Sequence, residues 1–559
     1  MKRLKPTRCG KTRAVTYPFQ AIAVPLAFLH AERQDDTGFQ IWIAPQFLLG
    51  SGQTMSFEIP PSIRIHPRDT VAVALRPLSA GERVAGENGN GVILREDVGQ
   101  GHKFALADIA AGDTVVKYGQ PIGRAKQAIP AGSHVHVHNV ETALAGELAY
   151  SPHLGQREGP AAPKGGHPTW RGYLRADGRA ATRNEIWILP TVGCVGMTAE
   201  QVAREAQARH GDLIAAGKVD GIHAFAHPHG CSQLGDDLDG TRALLAGLAA
   251  SPNAAGVLLL GLGCESNQLD ALVGAVPVWA RSTLRMLSSQ SAGNEIAEAG
   301  RLVDELVAEA ARAERSELPL SALTIGLKCG GSDGFSGLTA NPLLGRLSET
   351  ISEAGGKAIL TEIPEIFGAE QALLDRATSR AVFEAAAGLV NRFKRYYLDQ
   401  GLPVSENPSP GNIAGGITTL EEKSLGAVQK AGTAPLADVI DYGGQASVPG
   451  VTLLEAPGND AVSSTALAAS GATLVLFTTG RGTPLGFPVP TVKVASNRRL
   501  SEAKPHWIDF DASIALDQGQ GAADAAFLQA ICDFASGTPT ASERAGQRAI
   551  AVWKRGVTL

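Results

Sequence analysis

Three kinds of side chain in this sequence have the type and spacing to do chemistry: clustered imidazoles, thiols that follow apolar runs, and a lysine next to a thiol. His134, His136 and His138 alternate in HVHVHN. A strand's two-residue period puts all three rings on one face, as a surface for a metal or an anion, or simply as a solvated strand face. His227, His229 and Cys231 form HPHGC, with Asp236, Asp237 and Asp239 close behind. Imidazole with thiolate or carboxylate suits a borderline divalent ion such as Fe(II) or Zn(II), and Pro228 and Gly230 make a tight turn that aims both histidines one way. A turn around a buried thiol is the plainer alternative. Cys264-Glu265 and Lys328-Cys329-Gly330-Gly331-Ser332-Asp333 add two thiols, two carboxylates and an amine. A lysine beside a metal in a partly dry cleft loses its proton readily enough to act as a base, or it pairs with a substrate carboxylate as a point charge. Arg175, Arg179 and Arg183 recur every four residues as planar donors, for carboxylates or for a neighbouring domain.

Each thiol alone is weak evidence, because free cysteines are often inert core residues. Their repeated placement after apolar runs is the stronger signal. Four thiols (Cys194, Cys231, Cys264, Cys329) could hold an iron-sulfur cluster, but no Cys-x-x-Cys spacing is present, so a mononuclear metal ranks above a cluster. Gly261-Leu262-Gly263 after an apolar run has the start of a dinucleotide fingerprint. Ser266 replaces its third glycine and no acidic residue stands about 20 positions on, which disfavours nucleotide binding.

The elements that must position these groups fall into two styles. From Ile63 to Val140, short apolar runs broken by Gly, Asp and Pro predict a small all-β module. Residues 143–168 are rich in Gly and Pro and read as a linker. Beyond them, apolar runs such as EIWILPTVGC, GVLLLGLGCE, LTIGLKCGG and ATLVLFTTGRG alternate with helical stretches at 293–316 and 369–397, the rhythm of α/β domains with parallel sheets. Each run ends in polar, thiol or glycine residues. Ligands of open α/β sheets bind beyond the carboxyl ends of strands, so the reactive groups are expected on one rim. A weaker boundary near Leu318 divides this region, and residues 402–419 read as a long functional loop. The expected layout is an extension over 1–58, a β domain over 59–142, a linker over 143–168, a second α/β domain over 169–318 and a C-terminal α/β domain over 319–559.

Composition narrows the class. The chain has 559 residues, 44% hydrophobic and 19% charged, enough for three or four domains with cores of their own. Its formal charge of −5 gives no whole-chain attraction to nucleic acid or an acidic membrane, so small molecules are the expected partners. Six cysteines are too few for a disulfide scaffold and fit a reducing cytoplasm. No apolar run reaches the ~20 residues of a membrane-spanning helix. Six basic residues among the first thirteen, followed by the apolar Ala21 to Leu29, faintly imitate a signal peptide. The favoured reading is an upstream extension before a working start at Met55.

Several long blocks resemble the altronate and galactarate dehydratase family: GYLRADGRAATRNEIWILPTVGC, HPHGCSQLGDD, GVLLLGLGCESNQ, LKCGGSDGFSGLTANP and NPSPGNIAGGITTLEEKSLGA. GHKFALADIAAGDTVVKYGQPIG and HVHVHN are similar to its N-terminal SAF module, a β-clip. The resemblance runs from about Ile63 to the C-terminus. It implies a β-clip, a linker, a second domain that dimerises and a C-terminal Rossmann-like sheet, with iron-dependent dehydration of a sugar acid under reducing conditions. Fe(II) is the expected ion, with Mn(II) or another divalent metal next. Within the family the blocks look most like the altronate branch, which forms 2-dehydro-3-deoxy-D-gluconate; galactarate dehydration and sulfolactate sulfo-lyase activity are the alternatives. From other classes, an NAD-linked oxidoreductase or a non-catalytic sugar-acid binding protein remain to be separated by nicotinamide absorbance and by ligand-induced stabilisation without turnover.

Such a reaction removes the proton on C2, expels the C3 hydroxyl and needs charge stabilisation for the enediolate. The expected ligand set is His227, His229, Cys231, Cys264 and Glu265. Lys328, His136, His138 and Cys329 are the expected catalytic groups. Arg183, Asn184, His134, Ser332 and Asp333 are expected to hold the substrate.

Overall fold

The computed structural model describes residues 60–84, 91–144, 146–152 and 166–559. The expectations for residues 1–58, and for the linker between 153 and 165, lie outside the described residues. Among the described residues, no helix is long and apolar enough to cross a membrane.

The N-terminal module is built from small antiparallel sheets. One pairs Ser62–Ile63, Val71–Ala74, Lys103–Ala105 and His134–Val135 in that order, and another pairs Thr114–Lys117, Gln120–Ala125 and Val140–Glu141. Leu78, Val84, Leu94, Val98 and Phe104 fill its interior. Two lysines are also fully buried there, Lys103 and Lys117. Both are neutralised from outside the module by Glu422, on the helix Leu420–Ala427, at 2.9 and 2.8 Å. Thr418 adds two further hydrogen bonds to the same carboxylate, from its backbone N–H and its hydroxyl. Taking one partner from such a buried ion cluster typically costs ~3–5 kcal/mol, so Glu422 fixes the β module against the C-terminal domain.

The second domain opens with the strand Thr169–Leu174, which pairs antiparallel with Ser316–Pro319 where that domain closes. Between them lies a parallel sheet in the order Gly221–Ala224, Glu185–Pro190, Ala254–Gly261, Leu284–Ser288. Its strands read as continuous apolar runs because helices cover them. Ile186, Ile188, Leu258 and Leu260 pack against Val202, Val303 and Leu306 from the helices Gly196–Arg209 and Glu295–Ala310. In chain order the sheet runs 2-1-3-4, so its direction of growth reverses between the Glu185 and Ala254 strands.

The C-terminal region holds a seven-stranded parallel sheet: Leu436–Ile440, Gly450–Leu454, Lys357–Leu360, Thr324–Cys329, Leu474–Thr479, Thr491–Ala495 and Phe510–Asp511. Counted along the chain this is 3-4-2-1-5-6-7, with its reversal between the Thr324 and Leu474 strands. The expected strands are present. In the two parallel sheets, Leu284–Ser288, Leu436–Ile440 and Phe510–Asp511 were not among them, being short and only partly apolar.

Candidate active site

The loops that follow the Thr324 and Leu474 strands open at the reversal point of the large sheet, where helix N-termini and free backbone amides converge. Together with residues 414–415 of the long loop and residues 99–102 of the β module, they enclose a cavity of about 510 Å³. Its polar lining includes His102, Asp333, Arg481, Asn497, Arg499 and Lys504, with Gln100 beside them. This size suits a small ligand, and three cationic side chains beside amide and imidazole groups suit a hydroxylated carboxylate. Asp333 orders the floor of the cavity. It accepts hydrogen bonds from Ser336 Oγ at 2.9 Å, Ser496 Oγ at 2.8 Å and Asn497 Nδ2 at 2.9 Å, while burial pushes its pKa above the usual carboxylate value.

His102 carries a cluster of rings behind the cavity wall. Antiparallel pairing of Phe104 with His134 brings His102 alongside the second histidine run. His102 Nδ1 lies 3.0 Å from His134 Nε2, and His102 Nε2 donates to the Ala414 carbonyl at 3.4 Å. Ring centroids are 5.2 Å apart for His134 and His136 and 5.7 Å for His134 and His138. The strand that was expected to align HVHVHN ends at Val135. Asn139 then closes a turn, accepting from the His136 N–H and donating to the His134 carbonyl, so it is the turn that gathers the rings.

Ligand-capable atoms of His102, His134 and His136 lie within 4.8 Å of one another. Burial, reinforced by neighbouring cationic groups, lowers the pKa of His134 to about 3 and that of His136 to about 4, so both rings are neutral at neutral pH. Neutral imidazole is the form that binds a metal, and His136 Nδ1 is buried without a hydrogen-bond partner. This donor set fits Fe(II) or another divalent ion that accepts nitrogen.

A second close group, Cys329, Glu362 and Glu365, sits at the end of the Thr324 strand. It does not fit a metal, because each carboxylate oxygen already has a donor. Lys328 bonds Glu362 and, at 2.9 Å, Asp460; Lys430 bonds Glu362 at 2.9 Å and Cys329 Sγ at 2.9 Å. Lys423 reaches Glu365 at 2.8 Å, and the Cys329 thiol donates to that carboxylate at 3.0 Å. Burial alone would lower the pKa of Lys328, but Glu362 and Asp460 outweigh it and hold the amine as a cation. Burial and the two glutamates push the Cys329 thiol far up. The expected base and the expected reactive thiol are therefore an ion-paired ammonium and an inert thiol, both closed off from the cavity.

The expected metal ligands of the second domain do not form one set. His227 donates through Nε2 to the Pro190 carbonyl at 2.8 Å and accepts through Nδ1 from the His229 N–H at 3.2 Å, so both ring nitrogens are used to lock the turn. Glu265 accepts from Thr191 Oγ1 at 2.5 Å and from the N–H groups of Leu262 and Gly263 at 3.1 and 2.6 Å. His229 remains half-buried, and Cys231 and Cys264 are exposed. Arg183 likewise has no donor to spare for a substrate. Its five N–H groups go to Glu543 twice and to the carbonyls of Thr182, Phe534 and Thr538. Asn184 donates to the Lys218 and Ala310 carbonyls, both at 2.9 Å, and accepts from Arg175. Ser332 is buried next to Asp333, and its carbonyl accepts from Asn412. His102, Arg481, Asn497, Arg499 and Lys504 were missed. The rule that ligands gather at strand ends would have found Arg481, two residues beyond the Leu474 strand.

Residues 60–143 match the altronate/galactarate dehydratase SAF domain, residues 172–311 the D-galactarate dehydratase/altronate hydrolase second domain, and residues 320–558 the D-galactarate/altronate dehydratase C-terminal domain. The chain is 47% identical to the altronate dehydratase of Bacillus subtilis (strain 168) over 500 residues, 89% of this chain and 99% of that protein. It is 46% identical to the altronate dehydratase of Escherichia coli (strain K12), with the same coverage of each. It is 32% identical to the galactarate dehydratase (L-threo-forming) of the same strain, over 80% of this chain and 86% of the relative.

Proposed function

Since this chain belongs to the D-galactarate/altronate dehydratase family, we propose that it is a hydro-lyase that converts D-altronate to 2-dehydro-3-deoxy-D-gluconate and water. The observation that carries this reading is the meeting of a four-histidine cluster with a cation-lined cavity at the reversal point of the large sheet. The 3-4-2-1-5-6-7 order, with its reversal beside the Thr324 strand, supports reading that sheet as a Rossmann-like variant used for an acid rather than a nucleotide.

Arg481, Arg499 and Lys504 would hold the carboxylate, above a floor that Asp333 and Asn497 brace by bonding each other and the neighbouring loops. His102, His134 and His136 would hold Fe(II), which would supply positive charge to offset the negative charge that develops when C2 is deprotonated. His138, the ring of the cluster outside that ligand set, would take the C2 proton. Departure of the C3 hydroxyl, with one proton delivered to it, leaves an enol that becomes the 2-keto acid, so the balance is one water lost per substrate. The Lys328 network forms the rigid base under the Gly330 loop rather than a proton carrier.

A homodimer in a reducing cytoplasm goes with this reading. Among the described residues, half of the exposed large apolar side chains, Leu174, Met197, Leu234, Val278, Trp279 and Met286, belong to the second domain, which supports self-association there. Iron-loaded, reduced enzyme incubated with D-altronate, galactarate and sulfolactate separates the family branches. 2-Keto acid from altronate alone supports the proposal, whereas turnover only of galactarate, or sulfite release, overturns it.

A further inference from the structure

Three adjacent parallel strands of the second domain each end in a loop that carries a Gly–Cys pair: Gly193-Cys194 after the Glu185 strand, Gly230-Cys231 after the Gly221 strand and Gly263-Cys264 after the Ala254 strand. All three thiols are exposed and free. The loops are stitched into one surface. The Gly193 N–H donates to the His229 carbonyl at 2.9 Å, the Asn267 N–H to the Gly230 carbonyl at 2.9 Å, and Asn267 Nδ2 to the Thr191 carbonyl at 3.2 Å. Glycine makes this approach possible. A Cβ at Gly230, whose φ is +100°, would stand 2.1 Å from the Thr191 carbonyl oxygen, and one at Gly263, with φ +130°, would stand 2.7 Å from Gln290.

Two observations mark the spot as a ligand site. It lies at the reversal point of the small sheet, beyond the carboxyl ends of the strands, where open α/β sheets bind ligands. Asn267, fully buried where the loops meet, has a side-chain carbonyl oxygen without a partner. Among the described residues these thiols are not one of the sets whose ligand atoms lie within 4.8 Å, so they are spread more widely than ligands around a single ion. His227 and Glu265, which would complete a mononuclear site, spend their donors and acceptors on holding the loops.

We propose that Cys194, Cys231 and Cys264 hold a [4Fe–4S] cluster through three thiolates, with one iron left free of a protein ligand. Each thiol gives up a proton as it ligates, and the thiols themselves undergo no oxidation or reduction. The absence of any Cys-x-x-Cys does not count against this, because the sheet supplies the proximity that a local motif supplies elsewhere. Such an iron could take a carboxylate or hydroxyl oxygen. The site is built from the strand ends of the second domain and does not depend on the activity proposed above.

The test uses the full chain reconstituted anaerobically with equal amounts of ferrous and ferric iron and with sulfide, which together supply the two Fe(II), two Fe(III) and four sulfides of the oxidised cluster. The expected result is about four iron and four acid-labile sulfide ions per chain, with broad visible absorption that bleaches on reduction. Cys194→Ser, Cys231→Ser and Cys264→Ser together should abolish the labile sulfide with unchanged circular dichroism, while Cys532→Ser retains it. In the unsubstituted protein, mass spectrometry after alkylation should find Cys194, Cys231 and Cys264 modified before reconstitution and protected after it. Iron without sulfide, a zinc ion in its place, or a cluster that survives the triple substitution would overturn the proposal.

Discussion

The two parallel sheets end their strands with the same kind of sequence and give it opposite fates. In the second domain, Cys194, Cys231 and Cys264 stand in solvent on glycine-shaped loops with hardly a polar contact. In the C-terminal domain, Cys329 ends an equally apolar strand, yet it is buried under Lys430, Glu362 and Glu365. An apolar run that finishes in Gly and Cys therefore locates a strand end but says nothing of whether the thiol is available. Availability is decided by what packs over the rim: in one sheet nothing described covers it, in the other a charged layer from residues 362–430 does.

The sharpest way to break this contrast is Glu362→Gln. Lys328 and Lys430 would lose a buried counterion, which typically costs ~3–5 kcal/mol, and denaturant unfolding should report a loss of that size. An unchanged midpoint would show that the C-terminal layer is not the rigid block described. Next in size, Gly230→Ala sets a methyl group against the Thr191 carbonyl at a left-handed φ, a strain of about 1–3 kcal/mol. It should also pry the thiol loops apart, read as a lower yield of reconstituted labile sulfide.

Acid should act on the charged layer. Burial alone would raise the pKa of Glu365, but Lys423, Lys328 and Lys430 outweigh it and bring it from 4.5 down to about 2. Because the folded carboxylate titrates below the unfolded one, its stabilisation is complete above about pH 4.5 and fades as the pH falls toward 2. Denaturation midpoints across that window should fall, and more steeply than in Glu365→Gln. The smallest effect is expected at the exposed rim, where Cys264→Ser should change stability by no more than about 0.5 kcal/mol in the cluster-free protein. A larger loss would mean that the thiol is packed rather than presented.

How much of this was legible beforehand depended on how local the signal was. The apolar runs, the α/β rhythm and the β module followed from periodicity, because strand burial leaves a mark within a few residues. The histidine run was legible too, although a turn around Asn139 gathers it rather than a strand. Lys328 was misread because its counterions sit elsewhere in the chain: Glu362 lies 34 positions away, and Asp460 opens the helix Asp460–Ala469. Arg183 was misread for the same reason, since Glu543 lies 360 positions off. His102 gave no periodic signal at all, and only the pairing of Phe104 with His134 brings it into the cluster. Burial and long-range partners, not residue type, decide whether an amine is a base or a brace.

The carboxylate of Glu422 sets a rule of traffic for the cavity. Were the β module to swing outward, it would take with it two ammonium groups sealed in its own interior and leave both without a counterion. The histidines therefore belong to a fixed wall and not to a door. On the reading proposed above, acid would enter and keto acid leave along the rim that carries Arg481 and Arg499, past loops that can shift while the modules stay joined.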